Sequence, residues 1–454
     1  MEYTKILSDF CAKLTYNDIP EQVIHKAKLC LLDYIANVYG SLEIEAVKHT
    51  IDFIMSITGK NTSTILGITK KTDLLSAAFV NGTTAEAIEA QDGLRFGGNH
   101  PVCAVMPAAL TVGEKYKKDG KSILTAIIAG YEVANRAAAS VHPFHTLSGF
   151  LPTGTCGTFG AATTAGKLMQ LDEKGMLNAI GNAGYVVPLS MAEHLMGGYT
   201  IKIVQGGQAA SAGIMAAGLA AHGITGFPKV FEGSELKGGF AQITSKAEPK
   251  PERLIDKLGE HFTIMDIYIK PYTGCRHTHG AVQGTLGLIQ ENNVKPDDVD
   301  SILVETYGIA ELAVGKHITT NSSFVAAQFS IPYTVSACIF DGDLGPAQIT
   351  EKRISDSTLI EFSKKVTVKA ADDLNAMYPD KTASRVTIKL NNGQIIQKQV
   401  DIPKGDPRDP MNVEDIKQKI KRFAKHRKVN ADALAEMVMN IEKIKNINEL
   451  IKII

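Results

Sequence analysis

The chain has 454 residues, more than one hydrophobic core usually serves, so two domains are expected. Lys plus Arg and Asp plus Glu each number 48, a balance that argues against the basic footprint of a nucleic-acid binder. No apolar run is long enough for a membrane span, the six cysteines form no CxxC pair, and MEYTKILSDFCAKL lacks a signal-peptide pattern, so a cytoplasmic enzyme is expected.

The first 260 or so residues are predicted to be almost entirely helical. Pro20 opens a helix in which Val23, Ala27, Leu31, Tyr34 and Ile35 recur at helical spacing, and Gly40 closes it. Further helices are expected over 43–57, 74–92, 105–116 and 122–139, with a short β-like piece at 63–68. GTFGAATTAGKL and GGQAASAGIMAAGLAAHG are rich in small residues, so their helices are expected to pack closely at a buried centre. The Gly206-Gly207 start can also receive an anion, although tight packing alone accounts for it.

After about Lys250 the pattern changes. DSILVETYG, KKVTVKA and SRVTIKLNNGQIIQKQV alternate like strands, the last a hairpin turning at Asn392-Gly393. A helix is predicted over 324–340, and helices return from Val413. The lysines of that last region (417, 419, 421, 425, 428) are expected on a solvated face. The fold class is therefore mainly α with an inserted α+β domain: residues 1–265 and 405–454 form the helical body, and 266–404 a smaller lid. The cleft between them is the expected small-molecule site.

Three stretches carry chemistry. In NGTTAEAIEAQDGLRFGGNHP, Glu86, Glu89 and Asp92 recur at helical spacing before a Gly-rich turn, which is expected to bring Glu89, Asp92, Arg95 and His100 to one point. In IKPYTGCRHTHGA, Lys270, Arg276, His277 and His279 are expected to form a cationic wall for carboxylates. Too few partners accompany the His-x-His for a metal site, and two core histidines are the alternative there. Lys202 precedes the Gly206-Gly207 helix start and adds a positive charge beside it.

Glu89, Asp92-Gly93 and His100-Pro101, followed by a PAA-type helix, resemble the MmgE/PrpD family, whose members include 2-methylcitrate dehydratase, cis-aconitate decarboxylase and iminodisuccinate epimerase. KPYTGCRHTHGA, AQFSIPYTVSACIFDG and PKGDPRDPM also look like segments of that family, so the resemblance runs from the N-terminal helix to about Met411. It implies a helical domain made from both chain ends, an α+β lid, a homodimer, and an active site between domains that handles polycarboxylates with no cofactor. It places Glu89, Asp92, His100, Lys202, Lys270 and Tyr333 among the catalytic positions.

The sequence departs from the family pattern at Leu94 and Leu151, where many relatives carry histidine; His142 and His145 lie near enough in sequence to be considered as substitutes. The expected reaction is dehydration of a 2-methylcitrate-like hydroxy-polycarboxylate. His100 would take a proton, Asp92 or Glu89 would orient it, Lys202, Lys270 and Arg276 would hold carboxylates, and Tyr333 would assist the leaving hydroxide. Epimerisation and decarboxylation on the same scaffold remain alternatives, as does a catalytically inactive polycarboxylate-binding protein.

Overall fold

The structure is a computed structural model and describes residues 1–454. It is mainly helical, with one small mixed sheet. The helical body contains α1 (Glu21–Ser41), α2 (Leu74–Ala87), α3 (Val102–Tyr116), α4 (Gly120–Val141), α5 (Pro152–Leu168) and α6 (Gln205–Ala221). Asp73 starts α2 by accepting from the amides of Leu75 and Ser76, a cap worth about 1 kcal/mol. No helix is long and apolar enough to cross a membrane.

Small residues set the centre of this body. α6 packs against α5 and α2, and a Cβ on Gly207 would lie 2.1 Å from the Phe79 carbonyl oxygen. A Cβ on Gly82 would in turn meet the Gly207 backbone at 2.7 Å. The Gly206-Gly207 start is therefore filled by a neighbouring helix, and close packing is its role. This crossing fixes Lys202, just before α6, beside the end of α2.

The smaller body has its own core of 18 buried residues, drawn from 281–396, beside a main core of 100. Its sheet runs in the order β4-β3-β5-β6, where β3 is Val299–Thr306, β4 Val366–Ala370, β5 Ser384–Leu390 and β6 Ile395–Val400. β3 and β4 are parallel and the other pairs antiparallel, with the hairpin turning at Asn392-Gly393 as expected. Two short strands, β1 (Gly93–Leu94) and β2 (Ile267–Tyr268), pair antiparallel and tie the Gly-rich turn after α2 to the chain entering the lid.

α7 (His279–Asn292) packs on this sheet. The helix expected over 324–340 is two pieces, Phe324–Gln328 and α8 (Ile331–Asp341). The break is at Ser330, which caps α8 ahead of Pro332.

α9 (Val413–Phe423) and α10 (Ala431–Met439) return to the helical body, and α9 packs on α1. Its lysines do not all face solvent. Lys419 is buried and donates to Asp33 Oδ1 at 2.6 Å and to the Ala90 carbonyl at 2.7 Å. It lies on the same face as Ile416, Ile420 and Phe423, which are buried too.

Candidate active site

α2 stops at Ala87, short of the expected Asp92. Ile88 ends it, and Glu89 takes a left-handed conformation (φ 51°) that costs a non-glycine residue roughly 1–2 kcal/mol. Glu86, Glu89 and Asp92 therefore do not share a helix face. The turn sends the Glu89 carboxylate inward between two ammoniums. Its Oε2 accepts from Lys202, and its Oε1 accepts from Lys270 at 2.7 Å. Lys270 also donates to the Glu89 backbone carbonyl at 3.2 Å. Lys202 reaches on to Glu86 Oε1 at 2.5 Å, an atom that also accepts from Gln205 at 2.8 Å. The chain Glu86–Lys202–Glu89–Lys270 is thus two carboxylates alternating with two ammoniums, all buried.

The charges shape one another. Burial alone would raise the Glu89 carboxyl, but Lys202, Lys270 and His100 outweigh it and hold it well below the usual range. Burial works against the Lys202 ammonium, yet Glu86 and Glu89 outweigh it and push its pKa above the ordinary value. Lys202 is therefore a fixed positive charge and a poor proton donor.

His100 closes the site and is the most accessible of these groups, its side chain 17% exposed. Its Nδ1 lies 2.5 Å from the Asp92 carbonyl oxygen. A carbonyl only accepts, so Nδ1 carries the proton and Nε2 presents a lone pair. Nε2 is 4.0 Å from Glu89 Oε1, too far for a hydrogen bond. Burial and then Lys270 lower the His100 pKa to about 4. At neutral pH the ring is an uncharged base.

Asp92 does not orient the imidazole through its side chain, as the sequence led one to expect. Its carboxyl turns to the Tyr131 hydroxyl at 2.6 Å and the Val102 amide at 3.3 Å, and only its backbone carbonyl meets His100. Burial raises that carboxyl to about 7, against the lowering effect of the Tyr131 hydrogen bond.

Several expected ligand-binding groups are committed elsewhere. Arg276 donates to the Lys404 and Pro403 carbonyls at 2.8 and 2.7 Å and stacks on Tyr268, so it pins the 403–404 chain. Arg95 donates to the Asp380 carbonyl and lies over the Phe96 ring. His279 is fully buried against Gly274 and Tyr272, a core histidine. Tyr333 is buried in the main core with its hydroxyl on the Gln348 carbonyl. These four therefore have structural partners in place of the expected ligand contacts.

His277 is half-buried. Its Nδ1 is 2.5 Å from the Tyr307 hydroxyl, and burial, Lys270 and Arg276 lower its pKa to about 4. Its Nε2 has no partner in the chain, and His279 likewise keeps an unpartnered Nδ1, but that atom is fully buried. No three His, Cys, Asp or Glu side chains gather at metal-binding geometry.

Leu151 starts α5 and lines, with Lys202, Ser190 and Gln205, a cavity of about 370 Å³. His145 does not fill the role of a histidine there. Its two nitrogens face Thr155 and the Thr244 carbonyl, and Phe150 stacks on it. His142 packs against Gly98 with a buried, unpartnered Nδ1. Gln205 and Tyr131 are residues of this cluster that sequence reasoning left out, and Glu86 was named only for its helical spacing, not as part of the site. The signal for Glu86 was an acid set in an Ala-rich stretch with no basic residue one turn away.

A buried imidazole beside two ammoniums that alternate with two carboxylates, in a helical body joined to an α+β lid, makes a candidate acid–base site. The MmgE/PrpD N-terminal domain model matches residues 5–252 and the C-terminal domain model residues 272–443, and the chain belongs to the MmgE/PrpD family. It is similar to cis-aconitate decarboxylase of Aspergillus terreus, 25% identical over 474 aligned residues that cover 99% of this chain and 96% of the relative. It is also similar to cis-aconitate decarboxylase-like protein oryM of Aspergillus oryzae, 23% identical over 475 aligned residues covering 99% and 97%.

Proposed function

We propose that the protein is a cofactor-independent lyase that removes water from a hydroxy-polycarboxylate of the 2-methylcitrate type. One observation carries the reading: the Asp92 carbonyl fixes the His100 tautomer, leaving Nε2 as an uncharged lone pair 4.0 Å from the Glu89 carboxylate that both ammoniums hold. In this scheme a substrate carboxylate shares Lys202 and Lys270 with Glu89, and His100 Nε2 takes the proton from the carbon next to it. The two ammoniums stabilise the enolate-like charge that develops, and the hydroxyl on the neighbouring carbon leaves as the double bond forms.

Decarboxylation is the second reading, and the names of the full-length relatives favour it. The chemistry differs at the proton. Loss of carbon dioxide leaves a carbanion that must receive one, and a neutral His100 with its only proton held on Asp92 is poorly placed to give it. Exposed Tyr185, Leu189, Met196 and Tyr199 offer an apolar face for a homodimer, which the elution volume on size exclusion would test.

Proton NMR in heavy water, with citrate, 2-methylcitrate and cis-aconitate offered separately, tests the assignment. Dehydration produces a vinyl product and ultraviolet absorbance from the hydroxy acids. Carbon dioxide release from cis-aconitate, with both hydroxy acids untouched, would replace it with decarboxylation.

A further inference from the structure

A second cleft, of about 500 Å³, opens between the lid segment Pro271-Tyr272 and α9. None of Glu86, Glu89, His100, Lys202 or Lys270 lines it. Its walls carry Lys404, Lys421, Arg422 and Lys425, and Asp415 is the one acid among the lining residues. Acids partly answer these charges. Lys404 is 3.2 Å from Asp409 and 3.4 Å from Asp415, Arg422 Nη1 is 3.3 Å from Asp343, and Lys421 is a loose 3.9 Å from Asp432.

Two donors are left over. Lys425 has no acid within ion-pair distance, and Arg422 Nε is buried without an acceptor. Lys425 and the loosely held Lys421 therefore stand open to an acceptor that the chain itself does not supply.

The cleft is wired to the catalytic pair. Arg422 Nη2 donates to the carbonyl of Pro271, the residue after Lys270. Lys419, in the same wall, donates to the carbonyl of Ala90, the residue after Glu89. Both halves of the Lys270–Glu89 ion pair are thus held from behind by side chains of this cleft.

We propose that the cleft binds a small organic phosphate and that its occupancy adjusts the Lys270–Glu89 pair. The chemistry favours phosphate because its oxygens point in several directions and can meet the ammoniums of Lys404, Lys421 and Lys425 together, whereas a carboxylate offers two in one plane. The volume exceeds that of a bare phosphate, and Tyr272, Pro271 and Met411 supply a surface for a carbon skeleton. Arg422 already lies over the Tyr272 ring, 5.6 Å from its centre.

The chain has no tryptophan, so Tyr272→Trp places a single, selectively excitable tryptophan in the cleft. Pyrophosphate is the probe, with citrate at matched ionic strength as the comparison. Saturable quenching by pyrophosphate is expected, weakened at least ~10-fold when Lys421→Ala and Lys425→Ala are added. Calorimetry on the unmodified chain gives the same binding without the reporter.

No saturation up to ~10 mM pyrophosphate, equal binding by the lysine variant, or equal binding of citrate would each overturn the phosphate site. The binding half is independent of the reaction assigned above. For the coupling half, which rests on that assignment, the rate of substrate C–H exchange with solvent should change at saturating pyrophosphate in the unmodified chain but not in the lysine variant. An exchange rate that pyrophosphate leaves unchanged would overturn the coupling while leaving the binding result standing.

Discussion

The carbonyl oxygen of Asp92 holds Nδ1 of His100 at 2.5 Å, while the carboxyl of the same residue turns away to Tyr131. The base is therefore tuned by backbone geometry and by the charges around it. His100 is lowered to about 4 by burial and Lys270, so it stays in its basic form across the neutral range. The acid limb of kcat/KM should then fall near pH 4, since activity is lost only as pH drops through the pKa of the free base. A limb near the ordinary 6.5 would mean that another group carries the proton. His100→Ala should lower turnover at least ~100-fold across the plateau.

Asp92→Asn separates the carbonyl from the carboxyl. The backbone contact survives this change, so turnover should stay within about 10-fold, well short of the loss expected for a general acid or base. Stability should respond to pH. The Asp92 carboxyl is raised in the folded state from 3.8 to about 7, so the folded state binds more protons between those values and loses stability as pH rises through them. A shift of that size corresponds to roughly 4 kcal/mol. Removing the titrating group should make Asp92→Asn gain most over the parent at pH 8 and least at pH 4. Thermal melts at the two pH values check it, and a gain that does not grow with pH would refute the assignment.

Lys270 and Glu89 form a buried pair, and deleting one partner leaves the other charged in a closed site. Lys270→Met should cost about 3–5 kcal/mol in denaturant unfolding. Lys270→Met with Glu89→Leu should recover much of that loss, because no lone charge remains, yet stay inactive because the ammonium beside the base is gone. Full activity in the double variant would remove Lys270 from the chemistry.

How much of this was legible in the sequence depended on the range of the interaction. Local periodicity located the main helices, and Asn392-Gly393 located the hairpin, because both reflect neighbours in the chain. The residues that gather here were also legible: Glu89 and His100 flanked a Gly-rich turn and Lys270 the start of the inserted domain, while Lys202 stood out mainly through the family resemblance. The left-handed turn at Glu89 was not, since an acid at helical spacing looks the same whether or not the helix continues. Lys419 was misplaced because its partner Asp33 lies 386 positions away. Tyr333 and Arg276 have the right chemistry for a ligand contact, but Gln348 and the 403–404 chain claim their polar atoms, which only the folded chain reveals.

Leu151 offers a direct test of what divides the two reactions proposed for this scaffold. It is 8% exposed and shares a cavity with Lys202, while His145 is held by Thr155 and Thr244 and His142 packs against Gly98. The Leu151 position therefore carries no imidazole, and the one histidine lining its cavity is His194, on the 192–196 helix. Leu151→His would supply one beside the ammonium pair. If proton return limits decarboxylation, this variant should release carbon dioxide from cis-aconitate at least ~100-fold faster than the parent, the lower range for one positioned acid. Dehydration, which uses His100 alone for the carbon-bound proton, should change much less. Carbon dioxide release and alkene absorbance, measured on the same preparations, distinguish the two; a variant that speeds neither would show that the leucine is not what separates them.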